Sequence, residues 1–166
     1  MSLRKGATYK LLFGEEEGER ISRAQSLAVR AGTVLQKVIK QLAPYAQYQA
    51  QLKDPSRHRI LRADIIINDL AIELKLGYMF DTKKAAKEVE DIQQFARLLS
   101  VREQREILPA ICLFQAESQD DMKAFKADTE GVMMLNGTDL CSLLGIEYRD
   151  VLNLVRDSAR NMINAQ

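Results

Sequence analysis

The sequence has little of what builds most metal and redox centres: a single histidine, His58, and two cysteines, Cys112 and Cys141. The lone histidine sits among Arg57, Arg59 and Arg62, so neither a histidine-based catalytic dyad nor a His–Cys zinc site can be assembled. The cysteines are far apart and each lies in an apolar stretch, 110–114 and 140–144, which predicts buried free thiols and suits a reducing compartment. No apolar run approaches the roughly 20 residues of a membrane span, and the N-terminus lacks the apolar region and cleavage site of a signal peptide. These absences predict a cytoplasmic protein with no membrane partner. Charge of one sign is missing as well: 24 lysines and arginines stand against 23 acids. A nucleic-acid role therefore gains nothing from overall basicity, and any phosphate-binding surface must be a local patch. Gly131 and Gly137 do not have the spacing of a phosphate loop, so nucleotide binding has no support. There is no internal repeat and no low-complexity linker.

What is present is the balance of a soluble globular chain, 166 residues long, enough for one domain that buries a core without disulfides. Residues 1 to 14 carry no clear periodicity and read as an arm or short strand. From Glu15, an apolar stripe through Ile21, Ala24, Leu27, Ala28, Ala31, Val34, Leu35, Val38 and Leu42 predicts a long helix, which Pro44 stops. Glu15, Glu16, Glu17 and Glu19 crowd its first turns, where the helix dipole favours negative charge. The stretch from Tyr45 to Arg57 can extend a helix or alternate along a strand, and its glutamines favour a short strand. Residues 60–67 and 70–76 form two β-rich runs around Asn68-Asp69, a hairpin signal. Residues 83–100 return to helical spacing with Ala86, Val89, Ile92, Phe95 or Ala96 and Leu99 inward. A strand at 108–114, a short helix at 119–128, a strand at 131–135 with Met133 and Met134 in the core, and helices from Thr138 complete the order. The alternation predicts an α/β fold, a mixed sheet covered by helices.

The hairpin is where chemistry concentrates. With Asn68 and Asp69 as turn residues, Ile67 faces Leu70, Ile65 faces Ile72 and Asp64 faces Glu73. Opposed side chains of an antiparallel pair have Cβ atoms about 4.5 to 5.5 Å apart, and like charges there are destabilising. A divalent cation with oxygen preferences answers that repulsion, since Mg²⁺ takes one or two carboxylates and leaves its other positions to water and phosphate. Lys75 lies two residues beyond Glu73, on the same face, and meets Arg62 in this register. It can position or deprotonate a water, or stabilise developing charge. The opposite face, with Ala63, Ile65, Ile67, Leu70, Ile72 and Leu74, is the one to bury. The plainer alternative is that Lys75 only neutralises two carboxylates in a partly exposed sheet. The basic run from Lys53 to Arg62 likewise has two readings, phosphate contacts by Arg57, Arg59 and Arg62 or a strand edge protected by charge.

Asp64 followed by Glu73-Leu74-Lys75 on the next strand, within the order helix, meander, helix, strand, resembles the PD-(D/E)xK nuclease superfamily, the restriction-endonuclease-like fold. The resemblance covers about residues 15 to 115, with a helical extension over about 138 to 166, and all of 1–166 is read as one nuclease-like domain. It implies a Mg²⁺-dependent endonuclease acting on DNA, with Mn²⁺ as a substitute, Asp64 and Glu73 as metal ligands and Lys75 assisting the attacking water. Many members add a first-helix glutamate, and helical phase favours Glu17, seven residues before Ala24; complementing the helix dipole is the competing role. Ala63 replaces the motif's proline, and Gln93 and Phe95 stand where some members carry Gln-xxx-Tyr, so that subfamily is not assigned. A chain this short needs a homodimer or higher oligomer to cut two strands, for which Leu152, Leu154 and Val155 offer an interface. The alternatives are a catalytically inactive nuclease-like module for nucleic-acid binding or assembly, and an unrelated α/β protein whose hairpin matches by chance. Nothing in the sequence separates DNA from RNA.

Overall fold

The computed structural model describes residues 14–77 and 82–164; the expected N-terminal arm falls almost wholly outside them. Helix α1, Glu15–Leu42, begins with Glu15, Glu16 and Glu17 in its first turn, where their charge meets the positive end of the dipole. It closes on Ala43, whose N–H donates to the Ile39 carbonyl at 2.8 Å, just before Pro44 removes a donor. Three strands follow: β1, Gln47–Asp54; β2, Arg59–Ile67; and β3, Leu70–Lys75. The ambiguous 45–57 stretch is thus a strand. Asn68 turns the hairpin with φ 51, a left-handed conformation that asparagine tolerates better than most residues. Ile67 pairs with Leu70 and Ile65 with Ile72, the register that a two-residue turn dictates.

Helix α2, Thr82–Glu103, carries the chain across the sheet so that β4, Leu108–Leu113, lies parallel to β3. Its buried stripe is Ala85, Val89, Ile92, Phe95, Ala96 and Leu99; Ala85 heads the stripe in place of Ala86, which is exposed. Helix α3 is short, Gln119–Lys123, and starts with a capping box between Ser118 and Asp121. Strand β5, Met133–Asn136, adds in parallel to β4. Met133, expected in the core, is exposed because β5 is an edge strand. Helices α4, Gly137–Leu144, and α5, Tyr148–Asn164, complete the described chain. Gly137 has no room for a Cβ, which would collide with the Phe114 carbonyl and the Tyr148 ring. Cys112 and Cys141 are free and buried, and among the described residues no helix is long and apolar enough to cross a membrane.

The sheet order is β1-β2-β3-β4-β5, antiparallel among the first three strands and parallel among the last three. One face packs Ile65, Ile67, Ile72, Leu74 and Cys112 against Leu35 and Ile39 of α1, Leu140 and Leu144 of α4 and Val151 of α5. The other packs Leu61, Ala63, Ile66, Ala71 and Ile111 against α2 and Phe125. The hairpin therefore buries both faces, not the single face its alternation predicts, because helices cover the sheet on both sides. This is a mixed α/β architecture, a central sheet flanked by helices, of the restriction-endonuclease-like kind. At about 1.5–3 kcal/mol per fully buried large apolar side chain, those two layers hold the strands from which the polar residues described next project.

Candidate active site

Asp64, Glu73 and Lys75 come together where β2 and β3 part. The two strands pair from the turn only as far as Ile65 and Ile72, while β3 continues beside β4 to Lys75. Beyond Ile72 the β2-facing edge of β3 needs another partner for its N–H groups. Asp64 supplies it: its Oδ2 accepts from the Leu74 N–H at 2.8 Å. The expected direct pairing of Asp64 with Glu73 is thus replaced by a fork, with the Asp64 carboxylate standing in for a strand carbonyl.

The other oxygen of Asp64 is held from the α1 side. Its Oδ1 accepts from Gln36 Nε2 at 3.1 Å and Gln49 Nε2 at 3.0 Å, and Gln49 Nε2 also donates to Gln36 Oε1 at 2.9 Å. Gln49 has φ 52, a left-handed backbone that costs a non-glycine residue about 1–3 kcal/mol and collects at functional sites. It lies opposite Asp64, between the pairs Tyr48–Ile65 and Ala50–Ala63. On one side of this point Tyr48 and Ile65 pack toward α1; on the other Ala50 and Ala63 pack toward α2. The two strands exchange faces at Gln49 and Asp64, which frees the Asp64 side chain from the regular alternation.

Glu73 and Lys75 point to the α2 side. Lys75 Nζ contacts Glu73 Oε1 at 2.6 Å and Glu88 Oε1, on α2, at 2.9 Å. All three side chains are mostly buried, 16–22% exposed. Burial, followed by the charge of Asp64, pushes Glu73 up to about 7 even though Lys75 opposes the shift. Burial works against the Lys75 ammonium, but Glu73 and Glu88 outweigh it and raise its pKa, so it stays protonated. Two carboxylates bracket one cation while a third, Asp64, acts on Glu73 without a cation of its own.

That imbalance fits a hard divalent ion. The available donors are oxygens, Asp64 and Glu73 with the Gln36 carboxamide beside them, and Mg²⁺ prefers such donors. Among the described residues no three His, Cys, Asp or Glu side chains form a metal-binding group, so protein ligation would rest on two carboxylates, with water and phosphate supplying the rest.

Glu17 is not brought to this place. It is held by Arg20, through bonds of 2.9 and 2.6 Å, and stands roughly five turns before Gln36 on α1, about 28 Å at the helical rise. Gln36 is the first-helix residue that reaches Asp64. Helical phase carries no information about the height at which α1 crosses the sheet. The arginines divide. Arg57 is paired with Glu90 and Arg59 with Asp91 at 2.7 Å, both on α2, and these acids neutralise them. Arg62 is exposed on β2. Gln93 donates to the Glu130 carbonyl at 3.0 Å. Sequence reasoning missed Gln36, Gln49 and Glu88; Glu88 is adjacent to the inward-facing Val89 and three residues after Ala85, the one local cue that it flanks the sheet.

No protein-family model matches the sequence, and no solved structure matches it. The chain is similar to the type II restriction enzyme HhaII of Haemophilus parahaemolyticus, with 38% identity over 89 residues covering 51% of this chain and 38% of the relative. The chain thus aligns with well under half of that enzyme's length.

Proposed function

We propose that this chain carries the catalytic core of a divalent-cation-dependent DNA endonuclease of the PD-(D/E)xK type. The observation that carries the reading is the fork itself: where the β2–β3 ladder stops, the Asp64 carboxylate bonds the backbone between Glu73 and Lys75, and its charge, after burial, raises Glu73. Asp64 and Glu73 would hold Mg²⁺, or Mn²⁺ in its place. Such an ion supplies Lewis acidity toward a phosphate oxygen and makes a bound water more acidic. Lys75, kept protonated between Glu73 and Glu88, acts as a donor: its Nζ orients the attacking water and stabilises charge that develops on the phosphate oxygens. Gln36 and Gln49 position Asp64. Similarity to HhaII supports DNA as substrate, and cutting both strands of a duplex calls for two copies of the site, hence a homodimer.

A second reading, a nuclease-like binding or assembly module, draws on the three N–H groups that already satisfy Asp64. The test is a cleavage assay on supercoiled plasmid and branched oligonucleotides with Mg²⁺ or Mn²⁺, with Glu73→Ala as the contamination control. Metal-dependent cutting that disappears in the variant establishes the nuclease. Absence of cutting on every substrate, with the metal bound, sinks it and leaves the module.

A further inference from the structure

The exchange of strand faces at Gln49 and Asp64 also sorts the basic residues around the site. On β1 and β2, Leu52, Leu61 and Ala63 pack toward α2, and Asp54 and Arg59 lie on that side with Asp91. By strand alternation, Lys53 and Arg62 project from the opposite face. Lys53 pairs with Ile60 and Gln51 with Arg62 in the ladder, so the two cations occupy neighbouring diagonal positions. This is the face beside which α1 lies.

There α1 and β1 enclose a groove of about 240 Å³ lined by Thr33, Gln36, Lys37, Lys40, Tyr48 and Gln49. Lys37 and Lys40 are exposed and, three residues apart, share one helix face. Among the described residues no acidic side chain lines the groove. Its two glutamines are those that hold Asp64. Tyr48 fixes the walls, since its hydroxyl donates to the Ala43 carbonyl at 2.6 Å and ties the end of α1 to β1. Among the described residues Lys37, Lys40, Lys53 and Arg62 have no carboxylate partner, unlike Arg57 and Arg59. A second groove, lined by Ser56, Arg57, Glu90, Gln93, Gln94 and Arg97, has its Arg57 neutralised by Glu90.

We propose that the face formed by Lys37 and Lys40 of α1 and Lys53 and Arg62 of the β1–β2 hairpin is the track for the DNA phosphodiester backbone. It rests on the endonuclease reading and extends it. Cations flank Asp64 on two sides, so a backbone lying along them brings one phosphate to the fork while its neighbours meet the lysines and Arg62. The basic run is thereby divided: Arg62 contacts phosphate, and Arg57 and Arg59 belong to the packing of the hairpin on α2.

The test is binding of a fluorescent DNA duplex in EDTA, where no cleavage occurs, measured across a salt series. The proteins are wild type, Lys37→Gln/Lys40→Gln, Lys53→Gln/Arg62→Gln and Arg57→Gln. Each track pair should make the slope of log affinity against log salt shallower by about 2, at about 0.9 per phosphate contact. Between 50 and 200 mM salt its affinity should then fall about tenfold less than that of wild type. Arg57→Gln should keep the wild-type slope. Wild-type binding that both pairs leave unchanged overturns the track and leaves the nuclease reading standing, to be judged by cleavage. A wild-type protein that binds no duplex at any salt overturns the track as well, and the nuclease reading is again judged by cleavage with metal.

Discussion

Replacing Glu73 by glutamine should stabilise the metal-free protein above neutral pH while destroying its activity. Glu73 has its pKa raised from 4.5 to about 7 by burial and by Asp64. A raised carboxyl binds more protons folded than unfolded between those values, so folding stability falls as pH rises through the window and stays low above it. At about 1.36 kcal/mol per unit, the loss by pH 8 is roughly 3 kcal/mol. Glutamine keeps an oxygen for Lys75 to bond and removes the titration, so Glu73→Gln should be about 1–3 kcal/mol more stable than wild type at pH 8 and level with it near pH 4.5. With a chain of this size that is a melting-temperature gain of roughly 3–10 °C. Thermal melts in EDTA from pH 4.5 to 8.5 provide the assay. Saturating Mg²⁺ should recover wild-type stability at pH 8, because it binds the folded carboxylates alone, and should leave Glu73→Gln unmoved. A wild type that gains stability between pH 5 and 7, or a variant that melts lower at pH 8, would refute the reasoning.

Lys75→Ala should abolish cleavage and retain Mg²⁺-dependent stabilisation, since both proposed ligands remain; without metal it should melt below wild type at pH 8, having left Glu73 and Glu88 uncompensated. Gly137→Ala should cost roughly 1–3 kcal/mol in urea unfolding through overpacking against Phe114 and Tyr148, with the Mg²⁺ response unchanged in what remains folded. Burial raises the pKa of both thiols, that of Cys141 to about 11, so alkylation with iodoacetamide at pH 8 should be negligible in the native protein and complete in denaturant.

The fold was legible where local rules suffice. Asn68-Asp69 fixed the β2–β3 register, the apolar stripes located α1 and α2, and Cys112 and Cys141 were readable as buried from their neighbours. Glu73 and Lys75 share a face, as strand alternation implies, whereas Asp64 does not stand directly against Glu73 as the hairpin register predicts. Their arrangement was not legible, because it depends on Gln49. Glutamine carries no sequence signal for a left-handed backbone, so the exchange of faces, and with it the separation of Arg62 from Arg57 and Arg59, is invisible in the alternation. Gln36 and Asp64 meet over a long sequence separation that only the crossing of α1 over the sheet determines, and the same crossing leaves Glu17 behind. Ala85 replaces Ala86 because successive apolar residues one position apart fit the same helical stripe nearly equally well.

The bond from the Leu74 N–H to Asp64 Oδ2 means that a proposed metal ligand also serves as a rung of the sheet. Removing the Asp64 side chain leaves the partly buried Leu74 N–H and Gln36 amide without this acceptor, at a cost of about 1–3 kcal/mol for each buried group left unmade, while the exposed Gln49 amide keeps Gln36 Oε1. An Asp64 variant therefore reports on sheet integrity and chemistry at once, and inactivity in it says little about either. Glu73, whose only hydrogen-bond donor among the described residues is Lys75, is the position at which a catalytic defect can be separated from a structural one.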